Sequence, residues 1–190
     1  MTKSELRKMY LEKQKSLSDA ERNDLSRQIA ANFFGNFSLR KIRFLHAFLP
    51  IEKNGEIDTF HLINRLRRDF PQITTGVSRV NFETMTIESL KFDSKSELAV
   101  NRWHISEPVG NDLIEVEKID AVLVPLLCYD ERGFRVGYGK GFYDKFLKNC
   151  RADCLKIGLS YFAPVNKISD AREFDVKLDY CVTPLKVVEF

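Results

Sequence analysis

Apolar residues near the start of the chain recur at helical spacing. Leu6, Met9, Tyr10 and Leu17 form one such set, and Leu25, Ile29 and Phe33 form a second. Each set follows a capping box, Thr2-x-x-Glu5 and Ser18-x-x-Glu21, in which side chains satisfy the first free amides of a helix. The pattern then changes. Residues 42–49 are a short apolar run stopped by Pro50, which predicts a buried strand. Asp58 is placed to cap a helix carrying Phe60, Ile63 and Leu66. Residues 73–80 and 84–92 predict two more strands, the second half-buried because Met85 and Ile87 alternate with polar residues. Residues 119–124 form another buried-type strand, ended by Pro125. A glycine-bearing loop follows, and Phe142, Phe146 and Leu147 then mark a helix. Residues 155–159 and 180–182 close the series as strands.

Strands alternate with helices, which predicts a three-layer α/β/α, Rossmann-like domain around a largely parallel sheet. The sequence has no internal repeat, low-complexity tract or linker, so residues 1–190 are expected to form one domain. A chain of 190 residues, 44% hydrophobic and 30% charged, suits a globular protein with a sizeable core. No apolar run approaches the length of a membrane helix, and Met1-Thr2-Lys3-Ser4-Glu5 lacks a signal peptide's apolar stretch. The expectation is a cytoplasmic protein that does not engage the membrane.

A net charge of +3, spread along the chain, gives no footprint for nucleic acid. The densest basic patch, Arg65, Arg67 and Arg68, lies on a predicted helix and reads as a solvated face. Cys128, Cys150, Cys154 and Cys181 are expected to be thiols. Cys150 and Cys154 are four apart, as on a helix, but lack a CxxC pattern or nearby histidines, so zinc is not expected.

The chemistry concentrates in Val124–Asp144, which runs from a buried strand through a loop into a helix. In open α/β sheets, ligands bind at the carboxyl ends of strands. Gly137, Gly139 and Gly141 occupy alternate positions and let the backbone approach a ligand. The following helix offers free amides to an anion, and Arg135 and Lys140 add full charge. A phosphate cradle fits this composition. It is not a Walker loop, because Gly141 rather than Ser or Thr follows Lys140, and the spacing does not give GxGxxG. A flexible hairpin holding one lysine is the competing reading of the loop alone.

The run Arg135-x-Gly-Tyr-Gly-Lys-Gly-Phe-Tyr-Asp144 resembles the signature of the 5-formyltetrahydrofolate cyclo-ligases, also called methenyltetrahydrofolate synthetases. Three weaker motifs agree in order: Lys3-x-x-Leu6-Arg7, then Leu49-Pro50 with residues 55–59, and Phe174-Asp-Val-Lys-Leu-Asp179. The resemblance implies that ATP is touched by Lys3, Ser4, Glu5, Leu6 and Arg7. It implies the same for Arg135, Val136, Gly137, Tyr138, Gly139, Lys140, Gly141, Phe142 and Tyr143. The folate would meet Tyr138 to Phe142, with Glu56 bonding its head group beside Leu49 or Pro50. Asp144 and Asp179 would serve Mg2+. Lys140 and Arg135 are the expected catalytic cations. Leu126-Leu127 and Tyr138 depart from many relatives, which carry Pro-Gly and, in some, Arg there.

Plainer roles compete for several of these residues. Asp144 could favour its helix dipole, Asp179 could be a turn residue, and Lys3 and Arg7 could be a solvated face. Glu56 could be a loop charge. Trp103 suits either stacking on the flat pterin or a place in the core. His46, His61 and His104 share no motif, and none is needed as a general base.

The resemblance implies that 5-formyltetrahydrofolate, which could carry a polyglutamate tail, is cyclised to 5,10-methenyltetrahydrofolate with ATP and Mg2+ by a monomeric enzyme. ATP would phosphorylate the formyl oxygen, N10 would attack, and phosphate would leave. A different ATP-dependent ligase or kinase, a non-catalytic folate- or nucleotide-binding module, and a basic RNA-binding domain are the alternatives.

Overall fold

The computed structural model describes residues 1–101 and 105–190. Trp103 and His104 therefore lie outside the described residues.

Both predicted capping boxes are formed. Thr2 opens α1 (Lys3–Ser16) and Ser18 opens α2 (Asp19–Asn36). The chain continues through β1 (Phe44–Ala47), α3 (Phe60–Asp69), β2 (Thr74–Asn81), β3 (Thr86–Lys91), β4 (Leu98–Val100), β5 (Ser106–Pro108) and β6 (Leu113–Ile114). It then forms β7 (Ala121–Pro125), β8 (Cys128–Tyr129), β9 (Arg135–Val136), α4 (Phe142–Asn149), β10 (Leu155–Leu159), β11 (Tyr180–Val182) and β12 (Val187–Glu189).

The main sheet has eight strands in the order β12-β11-β10-β7-β1-β2-β3-β6. The run from β11 to β2 is parallel; β12, β3 and β6 join antiparallel at the edges. Alternation along β7 explains why it is covered on both faces. Ala121 and Leu123 pack with Ile29, Phe33, Ile63 and Leu66 of α2 and α3, whereas Val122 and Val124 pack with Phe146 and Leu147 of α4. This is the α/β/α layering expected from the sequence. A third cluster, Leu6 and Tyr10 with Leu127, Cys128, Val136 and Ile168, holds α1 against the small β8–β9 hairpin.

From β1 the chain winds through α3 to β2, and from β7 it winds through α4 the other way to β10. The strand order therefore reverses between β1 and β7, and a crevice opens beyond their carboxyl ends.

Local readings needed correction in three places. Met85 is not in a strand: it has φ 55° in the turn before β3. Cys150 and Cys154 do not share a helix, because α4 ends at Asn149; all four cysteines are unpaired thiols. Arg67 is not simply solvated. Its guanidinium sits over the Phe92 ring at 4.3 Å and donates to the Asp93 carbonyl. Among the described residues, no helix is long and apolar enough to cross a membrane.

Candidate active site

The crevice at the sheet's carboxyl edge is a cleft of about 520 Å³. It is walled by α1, the segment after β1, the β2–β3–β5 face, Pro125 at the end of β7, the loop from β9 into α4, and Asp175.

The glycine loop forms the floor. Gly139 and Gly141 have φ of 89° and 74°, a conformation that L side chains rarely adopt. Gly139 has a second reason to lack a side chain, since a Cβ there would lie 3.0 Å from the Arg7 guanidinium carbon. Arg7 Nε donates to the Gly137 carbonyl at 2.9 Å, so α1 fixes the loop across 130 positions of sequence. Gly141 is the N-cap of α4 and brings no capping side chain. The first amides of α4 are thus left for an anion, with the helix dipole favouring negative charge. Lys140 lies on the exposed rim between these two positive-φ glycines.

Arg135 is only 8% exposed. Its guanidinium meets Asp144 Oδ1 at 2.9 Å and donates to the Val176 carbonyl. Burial lowers its pKa, and Asp144 and Asp175 work against that fall. Asp175 Oδ2 receives Lys3 Nζ at 2.5 Å and the Arg172 amide at 2.6 Å. Burial pushes the Asp175 carboxyl upward, but the Arg172 amide, Lys3 and Arg135 outweigh it and hold it below the usual range. Asp144 Oδ1 also accepts from the Val176 amide at 3.3 Å. These bonds clamp the chain around Asp175 onto the glycine loop.

Glu56 occupies the other end of the cleft. Its Oε2 accepts from the Ile51 amide at 2.8 Å, and its carboxyl also bonds the Tyr138 hydroxyl. Gln14, buried on α1, donates to Tyr138 Oη at 3.2 Å and to the Asn54 carbonyl at 2.8 Å. Phe48, Leu49, Val80, Phe82, Ile87 and Phe142 make the surroundings apolar. Burial raises the Glu56 pKa to about 7, against the lowering effect of the Ile51 and Tyr138 bonds. Tyr138 therefore has a task of its own: it bonds Glu56.

The structure brings together Lys3, Arg7, Leu49, Glu56, the stretch Arg135–Tyr143 and Asp144. It separates others. Ser4 and Glu5 point to solvent, with Glu5 bonded back to Thr2, and Leu6 is buried in the third core cluster. On a helix only residues 3 and 7 share the cleft-facing side. Pro50 is not among the lining residues, whereas its neighbour Leu49 is. Asp179 does not join Asp144. It leads into β11 at the sheet's amino edge, where its Oδ2 accepts from the Lys156 amide at 2.7 Å and from Lys156 Nζ at 3.2 Å. The acid in the cleft from that motif is Asp175, four residues earlier. Sequence reading also missed Gln14, Ser78 and Glu107. Glu107 accepts from the Val80 amide at 2.8 Å. Trp103 lies outside the described residues, so its place is not fixed by these contacts.

An open α/β sheet with a basic, glycine-floored cleft at its switch point, walled elsewhere by apolar side chains around Glu56, suits a protein that takes an anionic ligand beside an organic one. The profile of the 5-formyltetrahydrofolate cyclo-ligase family matches residues 1–184. The chain belongs to that family. It is 28% identical over 185 residues to the 5-formyltetrahydrofolate cyclo-ligase of Escherichia coli strain K12, covering 96% of this chain and 100% of that one. The Aquifex aeolicus 5,10-methenyltetrahydrofolate synthetase structure superposes with a TM-score of 0.82 at 30% identity, covering 100% of this chain and 93% of the other. A Mycoplasma pneumoniae 5,10-methenyltetrahydrofolate synthetase has the same fold, with a TM-score of 0.77 at 24% identity over 97% of this chain and 99% of that one.

Proposed function

We propose that this protein is an ATP-dependent 5-formyltetrahydrofolate cyclo-ligase that forms 5,10-methenyltetrahydrofolate, ADP and phosphate. The observation that carries the reading is one cleft with two unlike ends: a glycine floor flanked by Arg7, Arg135 and Lys140, and an apolar recess around Glu56. Family membership over residues 1–184 supports it.

An N-formyl group is an amide, and its oxygen leaves poorly. In this reading the formyl oxygen takes the γ-phosphoryl group of ATP and ADP departs. The N10 lone pair then attacks the formyl carbon, the carbon–oxygen bond to phosphate breaks, and N10 gives up its proton to solvent. The protein contributes position and charge. The open α4 amides and Lys140 neutralise the transferring phosphoryl group. Arg7 and Arg135 hold the loop in shape. Glu56 accepts N–H donors of the pterin head group, and Leu49 and Phe142 flank it. No protein nucleophile takes part. The chain is taken to work as one unit and as a monomer in the cytoplasm, with polyglutamylated folates among its substrates.

Mg2+ fits the donor set. Asp144 accepts through Oδ1 and Asp175 through Oδ2, so each keeps an oxygen with no hydrogen bond among the described residues. Mg2+ commonly takes one or two protein carboxylates, with waters and substrate phosphates completing its shell. When bound with ATP it would neutralise phosphate charge. The described residues contain no cluster of three or more acidic, His or Cys ligands.

Mixing the protein with ATP, Mg2+ and 5-formyltetrahydrofolate should produce the methenyl product, followed by its absorbance. ADP formation with other acceptors, but never with 5-formyltetrahydrofolate, would overturn the substrate assignment. The acid that serves the metal is separable from its neighbour. Asp175→Asn should raise the Mg2+ needed for half-maximal rate several-fold and lower turnover. Asp179→Asn should leave the Mg2+ titration unchanged and lower only the melting temperature, because it loses the Lys156 contacts. The reverse pattern would return the metal to Asp179.

A further inference from the structure

His46 lies at the centre of β1, fully buried, on the face turned toward α4. Its neighbours Leu45 and Ala47 point the other way, into the core under α2 and α3. A histidine here is surrounded by apolar side chains, with the Phe146 ring centroid 4.6 Å away. Yet both ring nitrogens are bonded. Nδ1 lies 2.8 Å from Ser89 Oγ, and Nε2 lies 3.0 Å from Ser78 Oγ. Ser78 Oγ in turn lies 3.1 Å from the Tyr143 hydroxyl. Ser78 and Tyr143 both line the cleft; His46 and Ser89 do not. The far end is built by a glycine. Gly76 is the register partner of His46 on β2, and a Cβ there would fall 2.3 Å from Ser89 Oγ.

We propose that His46 is a positioning residue for the folate side of the cleft, setting the direction of a hydrogen-bond chain that runs from Ser89 through His46 and Ser78 to the Tyr143 hydroxyl. The proposal rests on the folate assignment above for its ligand, though not for the chain itself, and it moves Tyr143, which the resemblance gave to ATP, to the folate side because its hydroxyl meets Ser78 on the β2 wall of the cleft. A neutral imidazole has one N–H donor and one bare nitrogen acceptor. Burial lowers the His46 pKa to about 3, so the ring stays neutral through the working pH range. With the proton on Nδ1, Nε2 accepts from Ser78, Ser78 accepts from Tyr143, and Tyr143 turns a lone pair to the cleft. With the proton on Nε2, the bonds run the other way and Tyr143 turns its O–H to the cleft. The tautomer of a residue that never meets the ligand thus decides whether the ligand is offered a donor or an acceptor.

The test combines spectroscopy with kinetics. Three histidines occur in the chain, so 15N-histidine labelling gives resonances that variants can assign. The expected His46 spectrum is a single neutral tautomer, unchanged between pH 5.5 and 8.5, whose Nε2 resonance moves on Tyr143→Phe. Neither observation requires any ligand. In turnover assays, His46→Phe and Tyr143→Phe should each raise the folate KM by about tenfold, the loss of roughly one hydrogen bond. The ATP KM should stay unchanged, and the double variant should be no worse than either single one. Ser89→Ala, which leaves the imidazole in place, should show part of the same folate effect and serves if His46→Phe does not fold. An unmoved Nε2 resonance on Tyr143→Phe, or additive losses, or a lower melting temperature with unaltered folate KM, would overturn the relay. A wild-type protein without cyclo-ligase activity would remove the folate reading while leaving the resonance test of the chain intact.

Discussion

Lys140→Ala is expected to lower kcat by about a hundredfold, the typical loss when one preorganised electrostatic contact is removed from a developing charge. The argument is positional. Lys140 stands between Gly139 and Gly141, both with positive φ, and its side chain is exposed. Arg135 cannot replace it, because its guanidinium is bound to Asp144 and the Val176 carbonyl. Arg7 is likewise occupied, donating to Gly137. In the proposed mechanism Lys140 is the floor cation that would follow a phosphoryl group from ATP to the formyl oxygen. An exposed loop lysine adds little to folding, so the melting temperature should barely change. Lys140→Arg should recover only part of the rate, since a wider planar head suits a tight loop poorly. Wild-type turnover in Lys140→Ala would remove the loop from phosphoryl transfer.

The N-terminus calls for a different experiment from the one its sequence suggests. Lys3 and Arg7 both reach the cleft, and deleting residues 1–7 would seem a direct way to remove them. Leu6, however, is buried against Leu127, Cys128, Val136 and Ile168. A deletion would remove core packing together with charge, so its kinetic effect would have two causes.

The parts of the fold that could be read in advance are those fixed by local chemistry. The capping boxes at Thr2 and Ser18 formed because their partners lie three residues away. Residues 155–159 and 180–182 match β10 and β11 because both are short apolar runs. The strands β4, β5, β6, β8, β9 and β12 went unread: each has two or three residues and exists through its partner. The same division holds in the site. The glycine loop carries a composition signal, whereas Glu56 is singled out only by the family resemblance of residues 55–59 and reads otherwise as a loop charge. The choice between Asp175 and Asp179 carries no such signal, since both are aspartates in one loop. Four residues of extended chain span roughly 13–14 Å, enough to carry Asp179 away from the cleft to the start of β11. Ser78, His46 and Ser89 lie on three sequence segments, and only the sheet register aligns them.

Glu56 gives the second large effect, and its sign follows from its surroundings. The free enzyme holds this carboxyl at about pKa 7, mainly through burial among apolar side chains. A raised carboxylate pKa in the folded state stabilises the protein fully below the unfolded value near 4.5, and the contribution is lost as pH rises through 7. The ligand-free protein should therefore melt at a lower temperature at pH 8 than at pH 6. Folate binding should run the other way. In the proposed function the pterin head group presents its N–H donors to Glu56; the ionised carboxylate accepts them more strongly than the neutral acid, so binding would draw Glu56 into its charged form. With a pKa of about 7, the ionised fraction rises about tenfold between pH 6 and pH 8, and the folate KM should fall by a similar factor. Glu56→Gln should raise the folate KM by about ten- to hundredfold at pH 8, the loss of a hydrogen bond to a charged group. The same variant should flatten the dependence on pH and raise the melting temperature at pH 8 relative to wild type. The ATP KM should stay near wild type, because Glu56 sits at the opposite end of the cleft from Lys3 and Asp175. A wild-type folate KM that is flat from pH 6 to 8, or a Glu56→Gln variant that keeps the slope, would show that another group governs folate recognition.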